Sequence, residues 1–224
     1  MKTLLILVLA AGLASASAQP TLLTTNWTGS FANGGVVPDN DLNGLVDSRV
    51  ISESSGETVS SLEVTLNLSG GINGDIYAYL WHDGTMSVLL DRMGTPANSG
   101  YGYLDSGFNV TLSDDATDSI HTYQDYNPTY SNGSVTGSWQ PDGGGLSVFQ
   151  GASLDGTWSL FLADESSGGV MTLNSWGMNI ETTPEPSVFA LSIVVGASLL
   201  VFRLWKRARA LSSRKLVPVK TLPP

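Results

Sequence analysis

The chemistry of this chain lies almost entirely in its carboxylates. Twenty Asp and Glu stand against ten Lys and Arg, two His and no Cys in 224 residues. Asp114-Asp115 closes one alternating segment, and Asp75 and Asp164 sit at the ends of others. Hard oxygen ligands supplied by several loops suit Ca2+. Asp75, Asp114, Asp115 and Asp164 are therefore the candidate metal ligands, and Ca2+ is the one candidate cofactor. Their spacing is not that of an EF-hand, and the competing reading is a set of solvated turn aspartates making Asx turns. The missing cysteine excludes thiol catalysis, a disulfide framework and a Cys-ligated metal. A serine hydrolase needs an oriented histidine beside an activated hydroxyl. Only His82, in an expected turn, and His121, in a polar stretch, are available, and no Gly-x-Ser-x-Gly elbow occurs. Both read as solvated histidines, so no catalytic residue is assigned and the chain is read as a non-enzyme. A carboxylate pair can hydrolyse a glycoside, but in a domain this acidic some pair lies close by chance.

The elements that position these groups are strands. Leu62, Val64, Leu66 and Leu68 alternate with Glu63, Thr65 and Asn67, the pattern of a half-buried strand over Ser61 to Leu68. Asp75 to Trp81 follows, and His82-Asp83-Gly84-Thr85 reads as a hairpin link to Met86–Leu90, with Met86, Val88 and Leu90 on one face. Gly107–Leu112, Thr157–Ala163 and Leu173–Ile180 continue the series. Trp158 and Trp176 fall in the inward phase of the last two. Gly44–Ile51 reads as an early strand, Thr21–Asn43 is weakly patterned, and Ser113–Gly145 reads as long polar loops with one short strand. Many short strands joined by Gly, Asn and Asp turns predict an all-β, antiparallel sandwich. Tyr77, Tyr79 and Trp81 are read as the second face of a buried strand, the alternative being an exposed strip for carbohydrate. Tyr101, Tyr103, Tyr123, Tyr126 and Tyr130 fall in expected loops and are candidates for adhesive contacts.

Charge is divided unevenly. Residues 19–183 hold nineteen of the acidic residues against Arg49 and Arg92 alone, a formal −17, whereas seven basic and no acidic residues follow Phe202. Nucleic-acid binding is excluded for such a domain, because phosphate contacts need Lys and Arg. The two ends carry their own signals. Met1-Lys2, apolar Leu4–Leu13 and the small-x-small steps ending at Ala16 and Ala18 predict a secretory signal peptide over 1–18. At the other end, Pro184-Glu185-Pro186 precedes an uncharged run from Val188 to Phe202, extended through Trp205. Fifteen residues are short against the roughly 20 that span a bilayer, but Arg203 can snorkel and Trp205 suits the interface. An apolar helix over about 188–205 with a basic cytoplasmic tail over 206–224 is expected, holding the chain at the inner membrane.

This order of motif, apolar run and arginines resembles the PEP-CTERM sorting signal of Gram-negative bacteria. The resemblance implies export, transient anchoring, and an exosortase-type processing enzyme that recognises Pro184, Glu185 and Pro186. The domain between has a resemblance of its own. It shows, in order, Asn73-Gly74-Asp75-Ile76, Asp83-Gly84-Thr85, Leu112-Ser113-Asp114-Asp115-Ala116, Leu146-Ser147-Val148-Phe149-Gln150-Gly151, Gly156-Thr157-Trp158-Ser159-Leu160 and Asn174-Ser175-Trp176. This succession is similar to the P domain of proprotein convertases and bacterial subtilisin-like proteases. It implies a jelly-roll-like sandwich, a role in stabilising a protease, and calcium, which some bacterial P domains carry. No protease domain accompanies it here. The expectation is an exported, non-catalytic surface or matrix module at residues 19–183, meeting extracellular polysaccharide or an exported protein. The alternatives are an accessory domain for an exported protease in trans and a carbohydrate-binding adhesin.

Overall fold

The computed structural model describes residues 20–52, 56–95, 100–183, 198 and 200–207. These fall in two compact units divided after Pro184. The expected leader, the Pro184-Glu185-Pro186 motif and most of the expected apolar helix lie outside the described residues. In the second unit residues 200–207 are helical, and no helix among the described residues is long and apolar enough to cross a membrane.

The described residues of the first unit form an all-β sandwich of ten strands: β1 (Thr21–Trp27), β2 (Asp41–Ile51), β3 (Thr58–Gly70), β4 (Ile76–His82), β5 (Thr85–Asp91), β6 (Phe108–Ser113), β7 (Thr129–Ser131), β8 (Ser134–Trp139), β9 (Gly156–Asp164) and β10 (Met171–Thr183). One sheet has the order β1-β10-β3-β6-β8-β7 and the other β2-β9-β4-β5. Pairing is antiparallel except between β6 and β8, which run parallel. The expected alternation holds on β3, β9 and β10. Leu62, Val64, Leu66 and Leu68 point inward, with Trp158, Leu160 and Leu162 from the second sheet and Trp176, Met178 and Ile180 from the first. Sheets stack because each has one apolar face to remove from water. Gly177 admits β1 at the edge of the larger sheet, since a Cβ there would collide with the Thr25 carbonyl oxygen.

Several expectations are corrected. The weakly patterned start contains β1, and Ser113–Gly145 holds two strands and a 3-10 segment, Ile120–Tyr126, not loops with one strand. A parallel partner needs a crossover, and the polar stretch supplies it between β6 and β8. On β5 the expected single face splits. Ala78 pairs with Leu90 and Tyr79 with Val88, so Leu89 is the extra residue of a bulge. Leu89 and Leu90 are consequently both buried, whereas Met86 faces solvent.

His82 is not a solvated turn residue. It is the last residue of β4, in phase with Ile76, Ala78 and Leu80, and is fully buried. Its ring lies parallel to Trp158 at 3.8 Å, with Nδ1 at 3.0 Å from the Thr157 carbonyl and Nε2 at 2.8 Å from that of Ser153. Two of the loop tyrosines are also misread: Tyr103 and Tyr123 are buried, edge to face at 4.8 Å, and Tyr123 donates to Asp105. Tyr101, Tyr126 and Tyr130 are exposed as expected.

Candidate functional site

Two surfaces and one buried pair gather chemically useful groups, and register explains each. The first is the outer face of the four-stranded sheet. Strand pairing aligns Val46, Phe161, Tyr79 and Val88 in one cross-strand row, and Ser48, Ser159, Trp81 and Met86 in the next. Tyr79 stacks on Phe161 at 4.7 Å with the planes 18° apart, and the Ser48 and Ser159 hydroxyls share a hydrogen bond of 2.7 Å. Trp81 is 41% exposed, and Met86, Val46 and Val50 are exposed beside it. The buried second face expected for Tyr77, Tyr79 and Trp81 is thus corrected, because no further layer covers it among the described residues. Val46, Val50, Met86 and Phe161 were not legible as members of this face. On β2 the inward positions hold Asp47 between Leu45 and Ile51, and the outward ones include Val46 and Val50 on either side of Ser48, a break in the usual pattern. Asp47 is tolerated inside because its Oδ2 accepts from Trp176 Nε1 at 2.6 Å and from Arg49 Nε at 2.7 Å.

The second surface is a groove of about 480 Å³ across the outer face of the six-stranded sheet. Leu22, Glu181 and Ser61 form one cross-strand rung, and Asn179, Glu63 and Ser113 the next. Asp114, Asp115, Ser147 and Gln150 line its far end. Asp114 accepts the Leu146 and Ser147 N–H groups at 2.7 and 2.8 Å, closing the turn Leu146–Phe149 against the end of β6. Gly145, at φ 74°, is required there, since a Cβ would press on the Asp114 carboxylate.

The third is a buried carboxylate pair at the opposite end of the sandwich. Ile76 pairs with Asp164, which places the neighbouring Asp75 beside it. Asp164 is only 1% exposed, and Asp75 is also buried. Asp164 Oδ1 accepts the Ser166 N–H at 3.2 Å, and Oδ2 has no partner among the described residues. Burial pushes the Asp164 carboxyl up to about 6, against the Ser166 N–H and helped by Asp75 and Asp39. Burial likewise raises Asp75, although Arg92 and Ser166 oppose it. Arg92 Nε lies 3.8 Å from Glu165, and its Nη2 donates to the Gly100 carbonyl at 3.1 Å. Asp39 was not picked out from the sequence, because nothing local marks its approach to Asp164.

The four predicted metal ligands therefore do not converge. Asp75 and Asp164 lie together beyond the Gly70 end of β3, whereas Asp114 and Asp115 lie beyond the end where Glu63 pairs with Ser113. Among the described residues no three His, Asp or Glu side chains are grouped so as to hold a metal ion, and the proposed set does not fit Ca2+ as one site. His121 is half-buried, not solvated: Nδ1 contacts Asp142 Oδ2 at 2.9 Å and Nε2 the Thr95 carbonyl at 2.5 Å. Burial opposes its charge, but Asp142 and the Thr95 carbonyl outweigh that and hold its pKa above the usual value.

No protein-family model matches the chain, and no curated protein matches it. Among solved structures it is similar to the Aeromonas sobria serine protease in complex with its chaperone, at 18% identity and a TM-score of 0.42, covering 74% of this chain and 27% of that one. A structure of the Aeromonas sobria serine protease gives 17% identity and a TM-score of 0.42, covering 73% and 27%. The chain thus spans about a quarter of the length of these structures.

Proposed function

We infer that this chain is an exported, non-catalytic, P-domain-like module sorted to the cell surface or extracellular matrix, where its sandwich makes contacts and no chemistry. The observation that carries this reading is the exposed aromatic and apolar face around Trp81, Tyr79 and Phe161 on a domain that is otherwise strongly acidic. Contiguous apolar surface on a soluble domain marks an interaction site. Rings beside paired hydroxyls suit the C–H faces and hydroxyl groups of polysaccharide. In this reading the leader at 1–18 exports the chain, the apolar stretch holds it at the inner membrane, and an exosortase-type enzyme acts at Pro184-Glu185-Pro186. A second reading, an accessory domain for an exported protease, is favoured by the P-domain-like order of motifs.

Replacing the exposed Trp81 with alanine is expected to change stability by less than about 1 kcal/mol. The same change should lower retention on insoluble polysaccharide from the producing cells several-fold, by about 1 kcal/mol or more. Unchanged retention in a co-sedimentation assay would remove the face from the account.

A further inference from the structure

We propose that the groove across the six-stranded sheet binds an extended, lysine- or arginine-bearing segment of another exported polypeptide. The proposal rests on the reading of the chain as an exported contact module and adds a second, differently charged site to it.

Charge and spacing both point to this occupant. Glu63, Asp114, Asp115 and Glu181 line the groove, and no Lys or Arg does. The sandwich has two cations, and both are engaged elsewhere: Arg49 pairs with Asp47, and Arg92 reaches Glu165 and Gly100. Within the groove both glutamates are fixed by neutral donors. Asn179 Nδ2 donates to Glu63 Oε2 at 3.1 Å, and the Ser61 hydroxyl to Glu181 Oε2 at 3.1 Å. Such contacts set the positions of the carboxylates without neutralising them, so the charge is preorganised for a cation that arrives from outside. Glu63 stands opposite Asn179, two residues before Glu181 on β10, so the two glutamates are diagonal cross-strand neighbours. That places their Cα atoms about 7–8 Å apart. In an extended chain, side chains on one face repeat every two residues, at about 6.6–6.8 Å. Cations at alternate positions of an extended segment therefore match the glutamate pair, and Leu22, exposed at the rim, offers apolar surface to their stems.

The test uses the full chain in detergent and a fluorescent peptide of alternating Lys and Ser, at low salt because such contacts are screened over about 10 Å at 0.1 M. A peptide of the same composition with its lysines in one block is the spacing control. The variant Glu63→Gln with Glu181→Gln keeps the acceptor oxygens for Asn179 and Ser61 and so keeps the fold. Asp91→Asn with Asp125→Asn removes the same charge from exposed sites outside the groove. The alternating peptide should bind more tightly than the blocked one. Its Kd should rise at least about tenfold in the groove variant and less than about twofold in the control variant. Equal losses in the two variants would show diffuse attraction to an acidic domain and overturn the proposal, as would equal binding of the two peptides or no binding. Surface display of the groove variant is scored in parallel. A variant that reaches the surface without binding the peptide separates the site from the proposed function, whereas failure of the wild-type chain to reach the surface sinks that function instead.

Discussion

Truncating Trp158 to alanine should lower the unfolding free energy of the sandwich by about 3–5 kcal/mol. Trp158 is fully buried, its ring is parallel to His82 at 3.8 Å and lies 5.4 Å from Phe149, and its Nε1 donates to the Leu154 carbonyl at 3.1 Å. Removing it opens a cavity, leaves the Leu154 carbonyl without its donor, and exposes one face of a buried imidazole to a void. Denaturant melts read the change as a lower midpoint at an unchanged slope. A loss below about 1 kcal/mol would place the ring outside the core.

The second large effect is expected at Asp164, and it is a gain. Its carboxyl titrates near 6 in the folded domain because burial penalises the charge, whereas an unfolded aspartate titrates near about 3.9. The folded state then binds more protons than the unfolded state between these values, so stability rises as pH falls from about 6 to about 4. The two-unit difference corresponds to at most about 3 kcal/mol. Asp75, raised by burial, and Asp142, raised by burial against its contact with His121, act in the same direction. His121 adds to it in a higher window. Its raised pKa contributes stability that is fully present below about 6.5 and lost as pH rises through the folded value. Asp164→Asn should therefore melt higher than the wild type at pH 7.5, converge with it near pH 4, and show a flatter pH profile. A variant less stable than the wild type at pH 7.5 would mean that the buried charge is compensated and its cost misjudged.

What could be read from the sequence follows from what is local. The alternation of Leu62, Val64, Leu66 and Leu68 located the centre of the larger sheet, and Trp158 and Trp176 were found inside because each keeps phase with the apolar residues that follow it, Leu160 and Leu162 on β9 and Met178 and Ile180 on β10. His82 carried the same signal, since it continues the phase of Ile76, Ala78 and Leu80. Turn composition obscured it, because Asp83-Gly84 follows immediately and a polar residue beside a turn reads as solvated. The bulge at Leu89 left no mark, because two adjacent leucines are equally compatible with either face. Asp47 inside and Val46 and Val50 outside break the usual pattern on β2, and the reason Asp47 is tolerated, Trp176, lies 129 residues away. The metal set failed for a related cause. Carboxylates at strand ends are easily found, but which end of a sandwich each occupies depends on strand order, and strand order is not written locally. The groove glutamates were passed over because Glu63 looks like any outward residue of a half-buried strand; only the pairing of β3 with β10 makes it a neighbour of Glu181.

The fate of the chain in the cell tests the central claim most directly. A tagged wild-type chain and one carrying alanine at Pro184, Glu185 and Pro186 are expressed in the producing organism, and cytoplasmic, inner-membrane and extracellular fractions are compared by mass. The account predicts that the wild-type sandwich reaches the surface or medium shortened at both ends, while the triple variant accumulates uncut in the inner membrane. Full-length wild-type chain in the cytoplasm, or identical release of the two chains, would contradict it.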